Sequence, residues 1–162
     1  MVTGVIKNKV DKIWTDIWAG GITNPLTVIE QLTYLMFIRS LDEKELENEE
    51  FENMTGEKLE KIFPESAAGQ SMRWSKFKNN DPRDIYEIMS HRIFPAIKAL
   101  KYGHLPDFTE QGELIEIPDE PGKEEQANTA FAKYMEDAMF LIPTPQVLQK
   151  IITGLDDLYE HD

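Results

Sequence analysis

The chain has 162 residues, of which 41% are hydrophobic and 29% charged, enough for one domain with a core and too few for two ordinary ones. Lys and Arg total 17 against 30 Asp and Glu, and the resulting net charge of −13 excludes a surface that wraps nucleic acid on all sides, because phosphate binding needs a cationic face. With no cysteine there is neither a disulfide framework nor a thiolate zinc site, and no apolar run approaches the roughly 20 residues of a membrane helix. Lys7, Lys9, Asp11 and Lys12 interrupt any apolar region of a signal peptide, so the expected location is the cytoplasm.

The first element is an amphipathic helix whose stripe is Ile6, Val10, Ile13, Trp14, Ile17 and Trp18. Gly20-Gly21 ends it, since two residues without side chains favour a turn. Asn24-Pro25 then reads as a cap followed by proline at the first helical position. The run Leu32–Ile38 is apolar on nearly all sides. A strand is conceivable at that length, but the cap before it and the charged continuation after Arg39 favour a central buried helix. The acids that follow, Leu41-Asp42-Glu43-Lys44-Glu45-Leu46-Glu47, are expected to form a solvated helix face.

Asp81-Pro82 repeats the cap-then-proline cue, with Asp84 in the first turn, and Ile85, Ile88, Met89, Ile93, Ala96, Ile97 and Leu100 keep one face apolar. Pro95 must kink that helix or divide it. Residues 103–123 lack periodicity and read as a long irregular loop, with a short extended piece at Leu114–Ile117. Ala127, Ala130, Phe131, Tyr134, Met135 and Ala138 mark another helix. Thr144-Pro145 opens the last one, lined by Val147, Leu148, Ile151, Ile152, Leu155 and Leu158. The expected fold is a compact all-α domain of five or more helices spanning residues 1–162.

Charge is unevenly spread: residues 41–60 carry 2 basic and 9 acidic side chains, residues 61–104 carry 8 and 4, and residues 105–162 carry 3 and 14. Catalytic patterns do not emerge. No strand leads through a glycine-rich turn into a helix, and there is no nucleophile elbow or paired metal-ligand spacing. His91, His104 and His161 stand far apart and read as surface or structural residues. The sequence therefore offers no catalytic, cofactor-binding or metal-binding residue. In the basic middle, Arg73-Trp74-Ser75-Lys76-Phe77-Lys78 interleaves cations with aromatics. Trp74 and Phe77 most simply plug the core while the lysines stay solvated, though the cations could also meet phosphates. Arg39 could pair with a neighbouring acid or face a partner.

Several of these pieces, in order, carry a resemblance. They are Ile13-Trp14-Thr15-Asp16-Ile17-Trp18 with the Ala19-Gly20-Gly21-Ile22 break, then Leu35-Met36-Phe37-Ile38-Arg39-Ser40-Leu41-Asp42-Glu43, then Met72-Arg73-Trp74-Ser75-Lys76, and finally Ile93-Phe94-Pro95-Ala96-Ile97-Lys98. Together they resemble the N-terminal helical domain of the modification (methyltransferase) subunit of type I restriction–modification systems, over nearly the whole chain. The resemblance implies a parent that methylates the exocyclic amine of adenine in a bipartite DNA site, using S-adenosylmethionine held in a following α/β domain. The family's Asn-Pro-Pro-aromatic motif has no counterpart here, since Asn24-Pro25 is followed by Leu26, and Phe140–Pro145 carries extra residues relative to the Phe-x-Thr-Pro element that opens the cofactor domain. The implied chain is a single helical domain, inactive alone, with no cofactor of its own.

The implied partners are the DNA-specificity subunit, a second modification subunit, the restriction subunit in the full complex, and duplex DNA through that assembly. Arg73, Lys76 and Lys78 are the candidate phosphate contacts. Two other readings remain at this level: an acidic DNA mimic, suggested by the charge, and a free-standing helical adaptor with no methyltransferase connection.

Overall fold

The structure, a computed structural model, describes residues 2–121 and 134–160. Helix α1 (Val2–Ala19) ends as expected at the glycine pair: Gly21 takes φ +108°, and the Ile22 amide returns to the Ile17 carbonyl at 3.3 Å. Only Ile13 and Ile17 of its apolar stripe are fully buried, whereas Val10 and Trp18 remain exposed. Helix α2 (Pro25–Thr55) follows, 31 residues and about 46 Å long at 1.5 Å per residue. Asn24 caps it through its side-chain oxygen, which accepts from the Leu26 amide at 2.9 Å, and Gly56 closes it at φ +76°.

The run Leu32–Ile38 lies in this central helix as expected, with Leu32 and Phe37 partly buried against the core, but its burial is one-sided. Tyr34, Leu35 and Ile38 face the core, while Met36 points outward. Buried Gln31 uses its amide as a strand would use its backbone: Nε2 donates to the Met139 carbonyl at 2.7 Å, and Oε1 accepts from the Leu141 amide at 3.0 Å. One polar side chain thereby pins the segment leading into the last helix against α2.

After α2 the chain turns back through two short helices, α3 (Ala67–Ser71) and α4 (Trp74–Phe77). Ser66 caps α3 by accepting from the Gly69 amide at 3.0 Å. Helix α5 (Pro82–Ile88) begins at the Asp81 cap, whose carboxylate accepts from the Arg83 amide. Of the two expected outcomes, division is the one found: the path runs as two α-helices with a π-helical turn between them. Pro95 lacks the N–H that an α-helix needs there, and the π-helical turn (Met89–Ile93) takes up the difference, with the Phe94 amide reaching back to Met89. Helix α6 (Phe94–Lys98) starts immediately after, with Pro95 in its first turn.

The irregular stretch after α6 contains a minimal antiparallel hairpin. Strand β1 (Asp107–Phe108) pairs with β2 (Leu114–Ile115) in the register Asp107↔Ile115 and Phe108↔Leu114. The extended piece expected at 114–117 is thus realised over its first two residues. Of the helix expected from Ala127 to Ala138, residues 127–133 lie outside the described residues; Met135 and Ala138 are buried in the core. Helix α7 (Pro145–Glu160) begins after Thr144, whose hydroxyl accepts from the Val147 amide at 3.2 Å.

A single core joins these elements, and helices dominate, so the all-α expectation holds. Helix α7 packs chiefly on α1 and α5, burying Leu148, Ile151, Ile152 and Leu155. Gly154 lets α1 approach closely, because a Cβ there would sit 2.7 Å from Ile13 Cγ1.

Gly69 makes the tightest approach: a Cβ on it would stand 2.3 Å from the Pro64 carbonyl oxygen, a backbone atom that cannot swing aside. Helix propensity alone would make Gly69→Ala stabilising by up to about 1 kcal/mol. The clash instead predicts a loss of about 1–3 kcal/mol in denaturant unfolding. A neutral or stabilised Gly69→Ala variant would contradict the close packing of the 64–69 turn.

Candidate functional site

The acidic half of α2 does not behave as a solvated face throughout. Asp42, Glu45, Glu49 and Glu52 recur at i, i+3, i+7 and i+10, so they extend the core-facing row of Val28, Gln31, Leu35 and Ile38 along the helix. Asp42 is 2% exposed and Glu45 1%. This corrects the expectation for the 41–47 run at those two positions, while Glu43, Lys44, Leu46 and Glu47 are exposed as expected. The physical reason is the returning chain, residues 61–78, which brings a donor to each inward carboxylate.

Arg73, itself 3% exposed, serves two of them, Asp42 and Glu49. Its Nε donates to Asp42 Oδ1 at 2.6 Å, Nη2 to Glu49 Oε1 at 2.6 Å, and Nη1 to Glu49 Oε2 and Gln70 Oε1, both at 3.2 Å. The fork geometry suits guanidinium and would not suit an ammonium. The other oxygen of Asp42 accepts from the Ser75 amide at 2.7 Å, capping α4, whose own N-cap residue makes no side-chain cap. Glu45 Oε2 accepts from the Ile62 and Phe63 amides at 2.9 and 2.8 Å, and Lys61 Nζ reaches Glu52 at 2.8 Å.

Titration follows from these contacts. Burial works against the charge on Arg73, but its hydrogen bonds to Glu49 and Asp42 outweigh that and raise its pKa above the ordinary value. The same Arg73 hydrogen bond lowers Glu49, against some desolvation. Lys61 and Glu52 shift apart, up and down, chiefly through their mutual hydrogen bond.

A second hub forms around Asp156 on α7. Its Oδ1 accepts from Trp74 Nε1 at 2.6 Å and from Arg39 Nε at 3.3 Å, and Lys78 Nζ lies 3.6 Å from Oδ2. Arg39 also pairs with Glu43 and lies over the Tyr159 ring at 4.1 Å. It therefore takes neighbouring acids rather than standing open. Asp156 ties α7 to α2 and α4, while Trp74 and Phe77 fill the core as the simpler reading of that segment expected.

A family model described as HsdM N-terminal domain matches residues 6–155. The chain belongs to that family. It is the N-terminal domain of the modification subunit of a type I restriction–modification system, and the membership places it among the other subunits of such a complex. No curated protein and no solved structure matches it. Nothing in the family match favours the DNA-mimic or free-standing adaptor readings.

Within the HsdM-family domain, the three cations singled out from sequence separate. Arg73 is committed to Asp42 and Glu49 inside the fold, which removes it from the candidate surface. Lys76 is exposed, and Lys78 is half-buried beside Asp156. Lys78 borders a shallow groove of about 550 Å³ that also has Lys12 and Lys150 on its rim, with Asp156 and Asp157 among its lining. Lys12 and Lys150 were missed because they come from α1 and α7, which meet only on folding. His104 is held by the Lys61 carbonyl at 2.6 Å and Glu60 at 3.1 Å, and His91 contacts Ser90 and the Glu87 carbonyl, so both read as structural. His161 lies outside the described residues. Among the described residues no three His, Asp or Glu side chains are grouped to hold a metal, and no helix is long and apolar enough to cross a membrane.

Arg73→Ala should cost about 3–5 kcal/mol in unfolding, because it strands a buried carboxylate. The pH dependence has a definite sign. Glu49 titrates below its ordinary 4.5, so its contribution is complete above that pH and is lost as pH falls through the lowered folded value. Acid unfolding of the native domain should show that limb, and Arg73→Ala should flatten it. A variant with native stability and an unchanged acid limb would contradict the buried hub.

Proposed function

We propose that this domain is the assembly and DNA-positioning body of its modification subunit, packing against the DNA-specificity subunit and a second modification subunit. The restriction subunit joins in the full complex, and duplex DNA is engaged through the assembly. The observation that carries the reading is the family match over residues 6–155. The two charge hubs support it, because they lock α2, α4 and α7 into one relative arrangement, which a positioning body requires.

In this reading the parent transfers a methyl group from S-adenosylmethionine to an adenine amine, in the cytoplasm, with the chemistry in the subunit's α/β domain. Among the described residues, no glycine turn is placed to hold that cofactor. Of the positive-φ glycines among the described residues, Gly21 and Gly56 end helices, Gly112 sits in the hairpin turn, and Gly103 lies in the turn between Lys101 and His104. None follows a strand and leads into a helix, where backbone amides could approach a nucleotide-like ligand. No step of methyl transfer is therefore derived from these residues.

The DNA-facing part of the proposal falls on Lys76, Lys78 and Lys150, with Arg73 excluded by its burial. These lysines would contact phosphates and carry no sequence information. Replacing all three with alanine in the assembled complex should weaken binding uniformly across DNA sequences. It should also reduce the slope of the salt dependence by about one unit for each phosphate that a lysine had neutralised. Unchanged affinity and slope would remove this surface from the account.

A further inference from the structure

Helix α2 carries two parallel rows with the same internal change. Its inner row, Val28, Gln31, Leu35, Ile38, Asp42, Glu45, Glu49 and Glu52, alternates steps of three and four, and turns from largely apolar to acidic after Ile38. On the opposite side, Leu26, Ile29, Thr33, Met36, Ser40, Glu43, Glu47 and Glu50 repeat those steps and make the same change after Ser40. Steps of three and four are the seam spacing by which one helix packs along another. The inner row is covered by the rest of the domain. The outer row is not: Leu26 is 64% exposed, Ile29 52% and Met36 40%. Its hydroxyls do not make it polar, since Thr33 donates to the Ile29 carbonyl and Ser40 to the Phe37 carbonyl of the same helix.

The acids on this outer seam determine what can cover it. Glu47 and Glu50 have no ion-pair partner among the described residues, and Glu43 has Arg39. Carboxylates repel a phosphate backbone, so DNA is a poor occupant. A second copy of α2 fits no better. Laid parallel, its Glu43, Glu47 and Glu50 would face the same three residues; laid antiparallel, each acidic half would be desolvated against the other copy's apolar half. The inner row shows what satisfies this pattern, because there Arg73 and Lys61 meet three of the four acids, backbone amides meet Glu45, and apolar side chains meet the first half.

We propose that the outer seam of α2 is the docking surface for a helix of a different subunit, one with apolar residues opposite Leu26–Met36 and Lys or Arg opposite Glu43–Glu50. This rests on the reading of the domain as an assembly body and adds the surface and the chemistry of its partner. The test uses the full modification subunit and the specificity subunit, with binding followed by calorimetry at two salt concentrations and self-association by sedimentation. Ile29→Lys/Met36→Lys should lose at least about 100-fold in affinity. Glu47→Lys/Glu50→Lys should lose about tenfold, and the native interaction should weaken as salt rises. Both variants should melt with the native protein, since the replaced side chains are exposed, which separates a docking defect from a folding defect. Native affinity in both variants would overturn the seam while leaving the assembly reading intact. Self-association that Ile29→Lys/Met36→Lys abolishes would overturn the choice of a different subunit. Failure of the native subunit to bind the specificity subunit at all would overturn both readings together.

Discussion

Two carboxylates of α2, Asp42 and Glu45, are taken out of water, and the chain from residue 61 to 78 is arranged around them. Burying an ion costs several kcal/mol unless charge and hydrogen bonds replace the lost hydration. The replacements come from a segment with little regular structure of its own: the amides of Ile62, Phe63 and Ser75, and the guanidinium of Arg73. The carboxylates thus do what a sheet or a long helix would otherwise do, giving backbone donors a partner. Helix α4, only four residues long, takes the cap on its first turn from a different helix.

This arrangement makes α2 the axis of the domain. Its apolar half meets the core, its inner acids hold the returning chain, and Arg39 reaches Asp156 at the far end of the sequence. Asp156 also receives Trp74, so the segment held by Asp42 is tied to α7 as well. Helix α7 in turn covers α1, which brings the two ends of the chain together. A body fixed in this way can hold surfaces in register for other subunits, which is the use its family membership indicates.

What could be read in advance was local chemistry. Asn24-Pro25, Asp81-Pro82 and Thr144-Pro145 are caps whose partners lie within a few residues, and all three begin helices as expected. Gly20-Gly21 ended α1 for the same reason. The errors concern partners far along the chain. Whether an acid on an amphipathic helix faces solvent or the core depends on what returns to cover it, and Arg73 lies 31 residues from Asp42. Clustering in sequence likewise placed Arg73 with Lys76 and Lys78, although Arg73 is buried against α2 while Lys76 is exposed and Lys78 lies half-buried beside Asp156 on α7. The spacing of Asp42, Glu45, Glu49 and Glu52 was visible, and it continued the apolar row. That continuity was the available signal for an inward acidic face.

Amide hydrogen exchange at Ile62, Phe63 and Ser75 tests the central claim most directly. These three N–H groups donate to side-chain carboxylates of α2, and Ile62 and Phe63 lie in no helix or strand. If the buried carboxylates organise the returning chain, the three amides should exchange as slowly as the core amides of α2, opening only with global unfolding. Exchange at the rate of an exposed loop, with α2 still protected, would show that the acidic face does not hold the chain and would contradict the account.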